Sequence, residues 1–206
     1  MRKKTAPTKR PMKGQQGVLT RYSHFLTVER SIIGGTLLFA LIIIAAVAFN
    51  AWQNRIINIE GIERIFGLLR GHEEFATYPN DELPPMGGLH NPTWQNCGVY
   101  DTPIQNDLAV HSLEHGAVWI TYRRELPTEQ IERLHEITRG GSHRLLSPYP
   151  GLASPIVVTA WGYQLQIEDA YDSRLIDFIS NYEQGPQSPE PGARCSGGIG
   201  EPIAKS

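Results

Sequence analysis

The chain has 206 residues, 40% of them apolar, and 19 Lys and Arg against 21 Asp and Glu, a formal net charge of −2. That near-zero total sums opposed parts: residues 1–30 hold eight basic residues and one acid, residues 31–54 hold no charge, and residues 55–206 hold eleven basic residues and twenty acids. An acidic folded part is repelled by phosphate, which argues against nucleic acid as a partner, and its apolar content argues against a wholly disordered chain.

Residues 1–31 read as a basic cytoplasmic tail, broken by Pro7, Pro11, Gly14 and Gly17 and suited to anionic lipid. From Ile32 to Phe49 the sequence IIGGTLLFALIIIAAVAF carries no charge. Roughly 20 residues at ~1.5 Å each cross the hydrocarbon core, so residues 32–52 are expected to form a transmembrane helix with Trp52 at the interface. The basic residues precede this run. That places the N-terminus in the cytoplasm and the remainder outside, in a single-pass protein of the cell membrane. The rival is a signal peptide cut after Ala46-Val47-Ala48; the run exceeds the ~7–15 apolar residues of a signal core.

Residues 53–71 place Ile59, Ile62, Phe66 and Leu69 at helical spacing, which predicts a juxtamembrane amphipathic helix. An extracytoplasmic domain is expected over 72–198, followed by a short tail at 199–206. It opens with a long irregular stretch, residues 71–107, rich in Pro, Gly and Asn. Strands are predicted at Ala117–Tyr122, His143–Leu146, Pro155–Trp161 and Tyr163–Glu168, the last two around Gly162. Helices are predicted at Glu125–Thr138, with Thr128 as N-cap and Gly140-Gly141 as stop, and at Asp172–Glu183. The order predicts an α+β fold, a small sheet with helices on one face. From Gln184 onward the sequence is again Pro- and Gly-rich.

Two cysteines are present, Cys97 and Cys195, both in the part expected outside, where thiols are oxidised. A disulfide between them would tie the irregular stretch to the C-terminal segment. The competing role is Cys97 as a metal thiolate.

Among seven histidines, His90, His111 and His115 stand out. His111 and His115 are four apart, so they share a face on a helix and on a strand alike. Gly116 lets a short helix turn into the following strand. Glu114 is a fourth candidate ligand or a partner to the histidines. Three neutral imidazoles suit zinc or copper; the same three would also serve to hydrogen-bond the irregular stretch to the sheet. His72, His135 and His143 read as surface or helix-face residues, and His24 belongs to the cytoplasmic tail.

Other templates fit less well. H-E-x-x-H requires Glu where Ser112 stands, and Ser112 is not in G-x-S-x-G. A blue-copper set could draw on His90, Cys97, His111, His115 and Met86, but only with a reduced sulfur. No phosphate loop and no C-x-x-C occurs. A carboxylate pair of Asp101 and Glu114 has nothing in the sequence to fix its separation. Trp94, Trp119 and Trp161 read as packing aromatics.

The stretches Pro84-Pro85 … His90 … Trp94 … Cys97-Gly98-Val99-Tyr100 and Val110-His111-Ser112-Leu113-Glu114-His115-Gly116 resemble the signature of the domain of unknown function 3105 family of bacterial proteins. Ser147-Pro148-Tyr149-Pro150-Gly151-Leu152, Thr159-Ala160-Trp161-Gly162 and Gly185-Pro186-Gln187 … Cys195 resemble it too. The resemblance implies one N-terminal membrane helix and strengthens the pairing of Cys97 with Cys195. It singles out His90, His111 and His115 but supplies no activity. Where the family reads like P-P-T-S-G-P-H, this chain has Pro84-Pro85-Met86-Gly87-Gly88-Leu89-His90, so Met86 is not implied as a ligand.

Together these readings predict a membrane-anchored domain that binds copper or zinc through His90, His111, His115 and Glu114. The alternative is an accessory subunit of a larger membrane complex in which the histidines are structural. An extracytoplasmic metallo-hydrolase using Glu114 or Asp101 as base is the third reading; with no catalytic motif visible, the sequence leans away from an enzyme.

Overall fold

A computed structural model describes residues 32–49, 59–79 and 82–206. The chain divides into two compact units, Met1–Arg55 and Ile56–Ser206. The basic tail and Trp52 lie outside the described residues.

In the first unit, helix α1 spans Ile32–Phe49 and is long and apolar enough to cross a membrane or to serve as a signal sequence. Its large side chains are exposed, including Leu37, Phe39, Leu41 and Ile44. A helix apolar on every face has no polar side to turn to water, which is the pattern of a lipid-facing segment.

The second unit is an α+β fold around one six-stranded sheet, in the order β1-β6-β5-β3-β4-β2. The strands are β1 (Glu63–Arg64), β2 (Gly98–Val99), β3 (Val118–Tyr122), β4 (Arg144–Pro148), β5 (Ile156–Ala160) and β6 (Tyr163–Ile167). Its helices are α2 (Asn106–Glu114), α3 (Thr128–Arg139) and α4 (Ser173–Tyr182). Strand β4 runs parallel to β3 and β2, while β5 is antiparallel to β3 and β6. A parallel pair needs a crossover, which α3 supplies between β3 and β4.

Strands β3 and β5 are buried at every residue, so the sheet is covered on both faces rather than one. Side chains alternate between the faces. Val118, Ile120, Val158, Leu165 and Ile167 point to a layer closed by Leu134 and Ile137 of α3 and Leu175, Phe178 and Ile179 of α4. Trp119, Leu145 and Val157 point the other way, against Ala109, Val110 and Leu113 of α2. The Trp119 indole donates to Ser147 Oγ at 3.0 Å, so that face has a buried polar atom with a partner. Helix α3 begins at Thr128 with Pro127 in the cap position, so Thr128 is the first helical residue and not the cap. Asp172 caps α4 by accepting from the Arg174 amide at 2.9 Å.

Two boundaries differ from expectation. Residues 59–71 form no helix; they hold β1, which pairs with β6. Gly61 and Gly67 sit at φ +83° and +72°, a left-handed backbone that breaks any helix drawn through the apolar spacing. Ile59 and Ile62 join the core, whereas Phe66 and Leu69 are exposed. Residues 53–58 of that predicted helix lie outside the described residues. At the other end, residues 199–206 do not trail away. Ile203 N donates to Val99 O and Val99 N to Ala204 O, both at 2.8 Å, and this pairing covers the edge left by β2.

The C-terminal segment also closes helix α2. The last carbonyls of a helix lack intrahelical donors. Here Glu190 N donates to Glu114 O at 3.0 Å, Gly192 N to His115 O at 3.0 Å, and Gln184 N to Gly116 O at 2.8 Å. Gly116 has φ +95°, and a Cβ there would lie 2.8 Å from the Gln184 Cα, so only glycine allows both the turn and this close approach.

Cys97 and Cys195 form a disulfide with Cα atoms 5.3 Å apart, across 98 residues of sequence. On chain-entropy grounds a loop of that size is worth at most ~4.7 kcal/mol. Replacing both cysteines by serine is expected to lower unfolding free energy by about 2–4 kcal/mol, read from urea denaturation of the oxidised protein and the double variant. An unchanged midpoint would show that the bond adds nothing to stability.

Candidate metal centre

Helix α2 is buried from Asp107 to Glu114, although it carries Asp107, His111, Ser112 and Glu114. Its apolar side packs on the sheet, so its polar side must find partners elsewhere. The irregular stretch supplies them. Gln95 N donates to Leu108 O at 3.0 Å, and Ser112 Oγ donates to Gln95 O at 2.7 Å. Asn91 N donates to Asp107 O, and Asn91 Nδ2 to Asp107 Oδ2. These bonds lay residues 90–95 along α2 and set His90 opposite Glu114.

His72 arrives by main-chain pairing. Glu73 N donates to His90 O at 2.7 Å and His90 N to Gly71 O at 3.1 Å, forming a parallel bridge between His72 and His90. One donor atom from each of His72, His90, His111 and Glu114 then lies within 4.8 Å of the others, a group that could hold a metal ion. Three of the four are buried and His72 is exposed.

The membership differs from the predicted set by one residue. His90, His111 and Glu114 lie together, and His72 completes the group where the spacing had pointed to His115. The His115 Nε2 lies 3.0 Å from His111 Nε2 and 3.8 Å from the exposed Glu190 carboxylate. It is thus a neighbour of His111 and not a member of the four-residue group. Local sequence gives no sign of His72, because only the long-range bridge brings it to His90. Asp101 is exposed and takes no part. Cys97 is in the disulfide, which removes the thiolate that a blue-copper set needs. His143 is structural, its Nε2 donating to Ala193 O at 2.8 Å.

Each buried imidazole is oriented by a main-chain carbonyl. The Nδ1 of His90 meets Gly88 O at 2.8 Å, that of His111 meets Asn91 O at 2.6 Å, and that of His115 meets Arg194 O at 2.7 Å. A carbonyl oxygen can only accept, so Nδ1 carries the proton in all three rings, and in a neutral ring Nε2 is left as a lone pair. Two short contacts follow from this. His111 Nε2 faces His115 Nε2 at 3.0 Å, and His90 Nε2 faces Glu114 Oε2 at 2.9 Å. With neutral rings and an ionised carboxylate both contacts set acceptor against acceptor. A cation, whether a proton or a metal ion, must relieve each of them.

Burial, together with the neighbouring histidines, pushes His111 down to about 4 against the carbonyl of Asn91, which acts to raise it. Burial likewise holds His115 below the usual histidine range. Both rings are therefore poor proton acceptors at neutral pH, which suits ligation. Aromatic walls flank the group. Trp161 stands edge-on to His90 with centroids 5.8 Å apart, and Trp94 lies 5.1 Å from His115 and 5.7 Å from His111. Cavities of 620 and 720 Å³ lie elsewhere, one beside the disulfide and one lined by Phe75, Tyr78 and Tyr149.

These features define a class: an α+β domain with helices on both faces of its sheet, cross-linked by one disulfide, with a histidine-carboxylate group between a buried helix and an irregular stretch. A family model described as protein of unknown function (DUF3105) matches residues 72–197, more than half of the chain, and the chain belongs to that family. The match begins at His72 and takes in every member of the group. No curated protein and no solved structure matches the chain.

The lowered His111 has a consequence for stability. A histidine of pKa near 6.5 when unfolded and about 4 when folded binds more protons in the unfolded chain between those values. Its contribution is full above about 6.5 and is lost as pH falls towards about 4. With a chelator present, the melting temperature is expected to drop from pH 7 to pH 5, and to drop less in His111→Gln. Equal slopes in the two proteins would contradict the assignment.

Proposed function

We propose that this chain is a membrane-anchored metal-binding protein whose outer domain holds a copper or zinc ion through His72, His90, His111 and Glu114. One observation carries the reading: donor atoms of the four residues lie within 4.8 Å of one another, His90 Nε2 facing Glu114 Oε2 at 2.9 Å, while the Nδ1 protons of His90 and His111 are committed to carbonyls. Bonds of about 2.0–2.1 Å from a common ion set neighbouring donor atoms roughly 3 Å apart, the spacing found between His90 Nε2 and Glu114 Oε2. Main-chain carbonyls on the far nitrogen are also the usual means of orienting a ligating imidazole. Imidazole and carboxylate donors together suit zinc and copper better than magnesium or calcium, which favour oxygen alone.

Elemental analysis of the purified full chain is expected to give roughly one copper or zinc ion per chain. His90→Ala and His111→Ala are expected to lower metal affinity at least about tenfold, as even the loss of an orienting partner does. Unchanged metal content in both variants would refute the site. Helix α1 as a retained anchor, with the basic residues inside, supports an outer location for the domain. A C-terminal reporter that is active only outside the cytoplasm should therefore give signal, and a cytoplasmic reporter at the same place should not.

A further inference from the structure

Resting on the metal site proposed above, we infer that His72 is its exchangeable ligand, the position at which the ion enters, leaves and passes to another nitrogen or sulfur donor. The four ligands are held very differently. The side chains of His90 and Glu114 are 0% and 8% exposed, and that of His72 is 53% exposed. His90 and His111 are each anchored at Nδ1 by a carbonyl, and Glu114 faces His90 at 2.9 Å. Neither ring nitrogen of His72 makes a hydrogen bond among the described residues. Its ring rests on ring contacts, stacked on His111 with centroids 5.0 Å apart and 18° between planes, and edge-on to His90 at 5.2 Å, and on a long approach to Glu114. The nearest Glu114 oxygen is 4.0 Å from its Nε2.

The main chain beneath His72 is fixed even so, by the bridge to His90. The imidazole can therefore swing out about its own side-chain bonds while the fold stays put. Its departure leaves two imidazoles and a carboxylate, all buried, which are enough to retain an ion, and it opens the vacated position to solvent. Closed structural sites, by contrast, keep four firmly placed ligands. A site with three anchored donors and one loosely placed donor at the surface is built to trade its ion with an outside ligand.

The test uses the full chain in detergent, loaded with Zn²⁺, and follows transfer of the ion to an excess of a chromophoric chelator. His72→Ala is expected to bind as many Zn²⁺ ions as the unmodified protein and to release them at least about tenfold faster. Free imidazole should slow that release back towards the original rate and have no such effect on His90→Ala. If His72→Ala loses Zn²⁺ as fully as His90→Ala does, His72 is a fixed ligand and the inference fails. If release is unchanged and insensitive to imidazole, His72 is no ligand and the inference also fails. Should the unmodified protein take up no Zn²⁺ or copper, the metal site itself falls, and that result appears before any variant is compared.

Discussion

A buried helix with polar side chains is the constraint on which this domain is built. Helix α2 must lie against the sheet through Ala109, Val110 and Leu113, and this burial takes His111, Ser112 and Glu114 out of water with it. An unsatisfied buried polar group costs about 1–3 kcal/mol. The irregular stretch and the C-terminal segment are held to α2 by the bonds that avoid this cost. The absence of regular structure over much of residues 71–97 is thus a requirement: a strand or helix would use its own amides and carbonyls internally and leave α2 unpartnered.

The same bonds produce the chemistry. Main-chain carbonyls of Gly88, Asn91 and Arg194 fix three imidazole tautomers, and each comes from irregular chain free to present an oxygen inward. Packing, tautomer and the convergence of the four donor side chains are thereby one property. A change that loosened residues 88–91 from α2 would not only weaken the fold; it would turn the ring nitrogens away from each other. Trp94 and Trp161 stiffen the rings further without offering them a hydrogen-bond acceptor.

Much of this was legible in the residues. Helices α3 and α4 show their period plainly, because each buries a regular face, while β3 and β5, buried on both faces, show instead as short runs of β-branched and aromatic residues. His111 and Glu114 could be placed together because three residues along a helix return to one side. His72 and His115 exchanged roles for a physical reason: spacing records which side chains share a face of one element, and a metal group gathers donors from several. The bridge between residues 72 and 90 depends on how a glycine-rich stretch folds back, which no local period encodes. Residues 59–71 misled for a related reason. Apolar residues at helical intervals were real, but two glycines in left-handed conformations made a strand of the segment.

Helix α2 reaches its final partners late in the chain. The amides that receive its last carbonyls belong to residues 184–192, and the oxygen that orients His115 belongs to Arg194, next to Cys195. While synthesis is still short of these residues, the end of α2 lacks its caps and His115 lacks its partner. Completion of the site therefore coincides with completion and oxidation of the chain. A half-made molecule has all four side chains of the group but not yet the C-terminal contacts that cap the helix carrying two of them.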